Sequence, residues 1–277
     1  MHVKSVLLFL LVLFLYSTYL EFNPPYPYLS QSQSRDNLSK IEKFQLLKKI
    51  PSLVIVGSSS SNLLISDIIS SSGFNLSIPG FNSITGLKIL EKENIMPDTI
   101  LVEALSLNRK EMYDIHDEVY GGIKGSLKGY FKFFQEDYRP MNFVGYYTIR
   151  FFEKIVYSSL ERERAHFLLN YSKKNIDDKI IKQVSVKDLG ENLDDFFNYL
   201  KRIKENGRKV ILFETPLSES VKKSNRAFSE KLRDEAKKRG FNFIKDYSEE
   251  LFFTDGVHLD KESAIKFSHY LRSELVN

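Results

Sequence analysis

The 277-residue chain contains no cysteine. Disulfides, cysteine-ligated zinc, iron–sulfur clusters and an anchor attached through a lipidated cysteine are therefore all excluded. It contains no tryptophan, although it holds 22 phenylalanines and 15 tyrosines, many of them crowded into the middle third. There is little excess of either charge: 40 Lys and Arg against 36 Asp and Glu leave a net +4, spread along the chain. Composition thus makes no case for a nucleic-acid partner. Nor is the chain poor enough in hydrophobic residues (42%) to be disordered throughout. Its length fits one large domain, or one domain carrying an insertion.

Alanine is missing near the N-terminus, where a cleavable signal peptide would want small residues. What stands there is an apolar run from Ser5 to Tyr16, extended by Ser17, Thr18, Tyr19 and Leu20 and stopped by Glu21. The run approaches the length of a membrane-spanning helix, and Tyr16 and Tyr19 suit the membrane interface. Residues 1–21 are read as an uncleaved N-terminal anchor, with a cleaved signal segment and a buried core helix as the alternatives. Lys4, the only basic residue before the run, places the N-terminus in the cytoplasm and the remainder outside. Residues 22–50 read as a linker: Pro24, Pro25 and Pro27 cannot continue a helix, and Ser30 to Ser34 is polar and uncommitted. A short basic helix is expected within 38–49.

After Pro51 short β-branched runs alternate with helical patterns. Strands are expected at 52–56, 74–78, 99–102, 209–213 and 241–244, and helices at 62–69, 83–90, 193–203, 226–239 and 261–275. Strands separated by helices imply an α/β fold with a parallel sheet and helices on both faces. Ligands then sit beyond the carboxyl ends of the strands, which singles out residues 57–61, 79–82, 103–108, 214–216 and 246–258. Residues 109–190 interrupt the alternation and read as a mainly helical, aromatic-rich insertion. Its aromatics suit either core packing or a sugar or acyl-chain surface.

Two of these strand-end segments carry chemistry. Gly57 is followed by four serines, Ser58 to Ser61, between a buried strand and a helix. A serine there meets converging backbone N–H groups that favour developing negative charge; alone, the run reads equally as helix capping. Asp255 and His258 stand three apart before the last helix. A carboxylate on one imidazole nitrogen leaves the other free to act as general base; alone, this too reads as a hydrogen-bonded surface loop. His2, His116, His166 and His269 lie in tail, insertion or helix contexts and read as structural or solvated. No convincing metal-ligand spacing is present, and no cofactor is expected.

A serine after the first strand together with Asp-x-x-His before the last helix resembles the SGNH (GDSL-like) hydrolase superfamily. The resemblance covers roughly residues 51–108 and 191–277. It implies a three-layer, flavodoxin-like parallel sheet over 51–277, with the insertion placed in it. The family's Gly-Asp-Ser turn maps onto Gly57, Ser58 and Ser59, making Ser59 the implied nucleophile. Ser58 replaces the usual Asp, as in membrane-anchored branches of the superfamily. The second block, Asn75 to Gly80, implies Gly80 as an oxyanion-hole donor. The third block, usually Gly-x-Asn-Asp, falls on 97–108, where the Gly is absent and Asn108, slightly displaced, takes the Asn place. Asp255 and His258 complete the implied triad, and the N–H groups of Ser59 and Gly80 with Asn108 form the implied oxyanion hole.

The function implied is a serine-dependent O-acyltransferase or esterase on the extracytoplasmic side, acting on a cell-surface polysaccharide through an acyl-serine intermediate. Relatives so implied include polysaccharide O-acetylation and D-alanyl transfer proteins. The implied partners are a glycan substrate, the membrane through the N-terminal helix, and a membrane-bound protein that carries acyl groups across. The alternative is a catalytically inactive scaffold or glycan-binding protein on the same fold. A phosphate-binding role for Gly57 to Ser61 is poorly supported, since the Lys of a P-loop is missing.

Overall fold

The computed structural model describes residues 2–22, 33–108, 127–138 and 190–276, with Glu111, Gly121 and Gly125. The chain forms two compact units, one of residues 1–46 and 113–167, the other of 47–112 and 168–277. In the second unit, five strands run β1 (Leu53–Val56), β2 (Gly73–Asn75), β3 (Thr99–Glu103), β4 (Lys209–Phe213) and β5 (Asn242–Phe243). They pair in the order β2-β1-β3-β4-β5, every neighbouring pair parallel. This is the flavodoxin-like strand order, and it agrees with the fold class expected from the sequence.

The strands alternate their side chains between the two faces, as the period of two requires. Leu53, Ile55, Leu101, Ile211 and Phe213 form one buried cluster with Ile69, Ala264, Phe267 and Leu271. The last four come from α3 (Ser66–Ile69) and α7 (Lys261–Val276). On the opposite face α4 (Ser83–Lys92) approaches β1 so closely that a Cβ on Gly86 would lie 2.9 Å from the Val56 Cβ. Helices α5 (Gly190–Glu205) and α6 (Glu219–Lys238) complete the layers. Phe197 of α5 stacks near Phe241 beside β5, ring centroids 5.6 Å apart, and Phe228, Leu232 and Ala236 are the buried stripe of α6.

One expected helix is corrected. Residues 62–69 do not form a continuous helix; they form a 3-10 turn, Ser61–Leu63, and the single turn α3, separated by extended Leu64 and Ile65. The reason is competition for the backbone. Asn75 Nδ2 donates to the carbonyls of Ser61, Asn62 and Leu64, and the Ile65 N–H donates to the Ser268 hydroxyl. These bonds hold Leu64 and Ile65 in the extended backbone that interrupts the helix, while the Ser61 carbonyl still accepts the Leu64 N–H of the 3-10 turn. Helix α6 also begins seven residues before its expected start, at Glu219.

In the first unit, α1 (His2–Phe22) is apolar around its circumference from Val6 to Leu15. Among the described residues it is the one helix long and apolar enough to cross a membrane, over Val3–Leu20. Residues 3–15 are mostly exposed, Phe9 by 63% and Phe14 by 65%, so α1 is not a buried core helix. The segment expected as a linker contains α2 (Gln33–Gln45), whose Ile41 and Phe44 are fully buried. Residues 127–138 contribute the 3-10 turns Lys132–Phe134 and Glu136–Tyr138 to this unit. Most of the remaining expected helical insertion, including His116 and His166, lies outside the described residues.

Candidate active site

The carboxyl edge of the sheet is organised around one buried carboxylate. Glu103, the last residue of β3, is 1% exposed. Its Oε2 accepts the Ser58 N–H at 2.6 Å, the Ser58 hydroxyl at 3.0 Å and the Ser61 hydroxyl at 2.7 Å. Its Oε1 accepts the Thr215 hydroxyl at 2.9 Å, from just beyond β4. Thus the ends of β1, β3 and β4 are tied together by donors converging on one side chain, the condition under which a carboxyl group can be buried without a cationic partner. The same packing explains Gly57: a Cβ there would come within 2.4 Å of Glu103 Oε2 and 2.2 Å of Ser61 Oγ.

Within the serine run, Ser58, Ser60 and Ser61 are buried at 1%, 4% and 0% exposure, whereas Ser59 is half-buried. Ser59 lies on a turn closed by the Asn62 N–H bond to the Ser58 carbonyl, 3.1 Å. Ser58, which stands where the family pattern has Asp, spends its side chain on Glu103 and leaves the partly exposed position to Ser59.

The second block runs beside this turn. The Ile78 N–H donates to the Gly57 carbonyl at 2.9 Å. A turn then closes from the Phe81 N–H to the Ile78 carbonyl, with Pro79 and Gly80 at its centre. Gly80 has φ 88°, the left-handed backbone that the third residue of a type II turn requires. Asn82 caps α4 by accepting the Thr85 N–H at 3.2 Å. Asn108 ends the 3-10 helix Leu105–Asn108, five residues beyond Glu103; its side chain lies outside the described residues.

The Asp255–His258 pair is built on a small hairpin. Phe253 and Leu259 form an antiparallel bridge, and the Thr254 N–H donates to the His258 carbonyl at 2.8 Å. Gly256 takes φ 81° at the tip. Asp255 Oδ1 accepts the N–H groups of Val257 and His258 at 3.1 and 2.8 Å, while Oδ2 meets His258 Nδ1 at 2.6 Å. One oxygen is therefore fixed by the loop backbone and the other fixes the ring. Partial burial would raise the Asp255 pKa, but the bonds from the His258 N–H, the ring and the Val257 N–H outweigh it and hold the carboxyl below its ordinary range. Leu259, 1% exposed, roots the hairpin in the core cluster. The Gly256 carbonyl accepts the Ser218 N–H at 2.9 Å, which ties the hairpin to the chain leaving β4.

Of the residues expected from the sequence, Asp255 and His258 are brought into direct contact, and Ser59 and Gly80 stand on adjoining turns at the carboxyl edge. Glu103, Ser61 and Thr215 were not assigned a role from the sequence, although all three fall in strand-end segments marked as places to look. Among the described residues no cluster of His, Asp or Glu could hold a metal ion.

No family model matches the chain, and no curated protein matches it. Among solved structures, a candidate acylhydrolase from Bacteroides fragilis is similar at 14% identity and a TM-score of 0.45, over 87% of this chain and 96% of that one. A candidate platelet activating factor from Streptococcus pneumonia is similar at 13% identity and a TM-score of 0.39, over 98% of this chain and all of that one. Likeness at this level carries no argument.

Proposed function

We propose that the chain is a serine-dependent O-acyltransferase or esterase with Ser59 as nucleophile. The observation that carries this is the Asp255–His258 pair, Nδ1 engaged at 2.6 Å by a carboxylate that its own loop backbone fixes. Such a pair leaves Nε2 as the basic nitrogen. It stands on a hairpin tied to the sheet edge from which the half-buried Ser59 emerges. In the proposed cycle Ser59 Oγ attacks the acyl carbonyl and its proton passes to His258 Nε2. The imidazolium returns that proton to the departing oxygen, leaving an acyl-serine. Water or a sugar hydroxyl then attacks the acyl group, again through His258, and Ser59 is restored. The N–H groups of Ser59 and Gly80, with Asn108, would hold the oxyanion.

The proposed setting is extracytoplasmic, with α1 as anchor, a cell-surface polysaccharide as acceptor or substrate, and a membrane protein delivering acyl groups. The anchor is supported by the apolar span Val3–Leu20, with its one lysine, Lys4, at the start. Fluorophosphonate labelling of the full-length protein, read by peptide mass spectrometry, tests the chemistry. An adduct on Ser59 that is lost in both Ser59→Ala and His258→Ala is expected. A folded protein that takes no adduct would leave the inactive scaffold as the better reading. Acetyl transfer to an oligosaccharide, compared with acetate release, separates transferase from esterase.

A further inference from the structure

The last turn of α1 is held within its own unit. Leu20 is 1% exposed, and the Tyr16 hydroxyl donates to the Tyr138 carbonyl at 2.9 Å. Lys132 Nζ lies 3.5 Å from the Leu20 carbonyl and 5.8 Å from the centroid of the Tyr138 ring. Residues 132–138 therefore flank the stretch of α1 between Tyr16 and Leu20, a rise of about 6 Å. The apolar span of 18 residues is about 27 Å long, close to the hydrocarbon thickness of a bilayer. If Val3–Leu20 crosses it, this flanking segment stands at the boundary between hydrocarbon and headgroups.

Its composition and exposure suit that depth. Phe131, Phe133 and Phe134 form one ring cluster, with centroids 4.3 to 6.3 Å apart. The turn before them closes from the N–H groups of Tyr130 and Phe131 to the Leu127 carbonyl, both 3.0 Å. Tyr130 at this tip is 83% exposed and Phe131 44%, and among the described residues nothing lies within 4 Å of where a Gly129 Cβ would be. Behind the tip the segment is polar and fixed to α2. The Glu136 N–H donates to Glu42 at 2.6 Å, Lys43 pairs with Asp137 at 2.8 Å, and Lys128 bonds Gln45. A rigidly backed tip of exposed aromatics, with a lysine beside them at the level of a span's end, matches the aromatic and basic residues that collect at membrane interfaces.

We propose that Tyr130 and Phe131 rest in the lipid headgroup layer beside α1, as a second membrane contact that fixes how this unit sits on the bilayer. The proposal rests on α1 being a membrane span. Removing α1 would take away the Tyr16 donor to the Tyr138 carbonyl and the Leu20 carbonyl beside Lys132.

The absence of tryptophan makes the test clean. Full-length Val12→Trp, Tyr130→Trp and Phe131→Trp are each reconstituted in phosphatidylcholine–phosphatidylglycerol vesicles. The lipids are brominated either near the headgroup end or near the methyl end of the acyl chains. The tip variants should show blue-shifted emission and lose most of it to the headgroup-end label, while Val12→Trp is quenched by the methyl-end label. Quenching of Val12→Trp with both tip variants unquenched and open to aqueous acrylamide would overturn the tip contact while keeping the anchor. Failure of Val12→Trp itself would overturn the span and the tip contact together. Tyr130, at the open end of the turn, keeps the test valid where Phe131→Trp disturbs the ring cluster.

Discussion

Asp255 illustrates how one side chain can be committed twice. Its Oδ1 is spent on two loop N–H groups and its Oδ2 on the imidazole. Asparagine could preserve the first set of bonds, but its amide would present a donor to Nδ1 and favour the wrong tautomer. Asp255→Asn is expected to fold normally and to lower kcat by about 10⁴-fold, the loss seen when a triad carboxylate becomes an amide; steady-state kinetics beside a thermal melt checks it. Glu103 calls for the opposite expectation. Truncation would leave the Ser58 N–H and the Thr215 hydroxyl without their buried acceptor, so Glu103→Ala should cost about 2–5 kcal/mol in denaturant unfolding. Glu103→Gln should lose far less. Its carbonyl can stand at the Oε2 place and keep the Ser58 N–H, while its amide faces hydroxyls that can turn round to accept. A melt in which the Ala and Gln variants fall equally would show that the network does not position the serine turn.

At the scale of elements, the site depends on helices pressed against the sheet. Gly86 lets α4 settle onto Val56, with the Leu76 carbonyl also near. Gly86→Val should push α4 outward and cost about 1–3 kcal/mol as overpacking, read as a lower denaturant midpoint at unchanged slope. Because the Pro79–Gly80 turn leads directly into α4 through the Asn82 cap, the same variant should reduce fluorophosphonate labelling of Ser59 by more than its loss of stability explains. Helix α7 is entered the same way. Asp260 accepts the Ser263 N–H at 2.8 Å, and the cap follows two residues after His258, so the start of the helix and the base of the hairpin are set by one stretch of chain.

For the whole molecule, acid is the condition that acts on the site first. Backbone and side-chain bonds hold the Asp255 carboxyl below its ordinary pKa, and the Ser263 N–H does the same for Asp260. A carboxyl whose native pKa is depressed adds stability that is complete above its unfolded value, about 3.9, and is lost as pH falls through the native value. Melting temperature should therefore drop on acidification below about pH 4, and Asp255→Asn should drop less steeply over the same range. Equal slopes would mean that the hairpin carries no such linkage. The sequence by itself determined most of the sheet. Uninterrupted apolar runs such as 53–56 and 210–213 suit strands buried on both faces, and the intervening amphipathic helices imply parallel pairing. It also determined the Asp255–His258 pair, because three residues of separation in one loop is a local matter. The break at Leu64 and Ile65 was illegible, since it is imposed by Asn75 and Ser268 from distant parts of the chain. So was Glu103, whose role exists only once β1, β3 and β4 lie side by side and bring donors from the ends of β1 and β4 to one carboxylate on β3. Local spacing can be read along a chain, but a polar group's partners, when they arrive from other strands, are decided by tertiary structure alone.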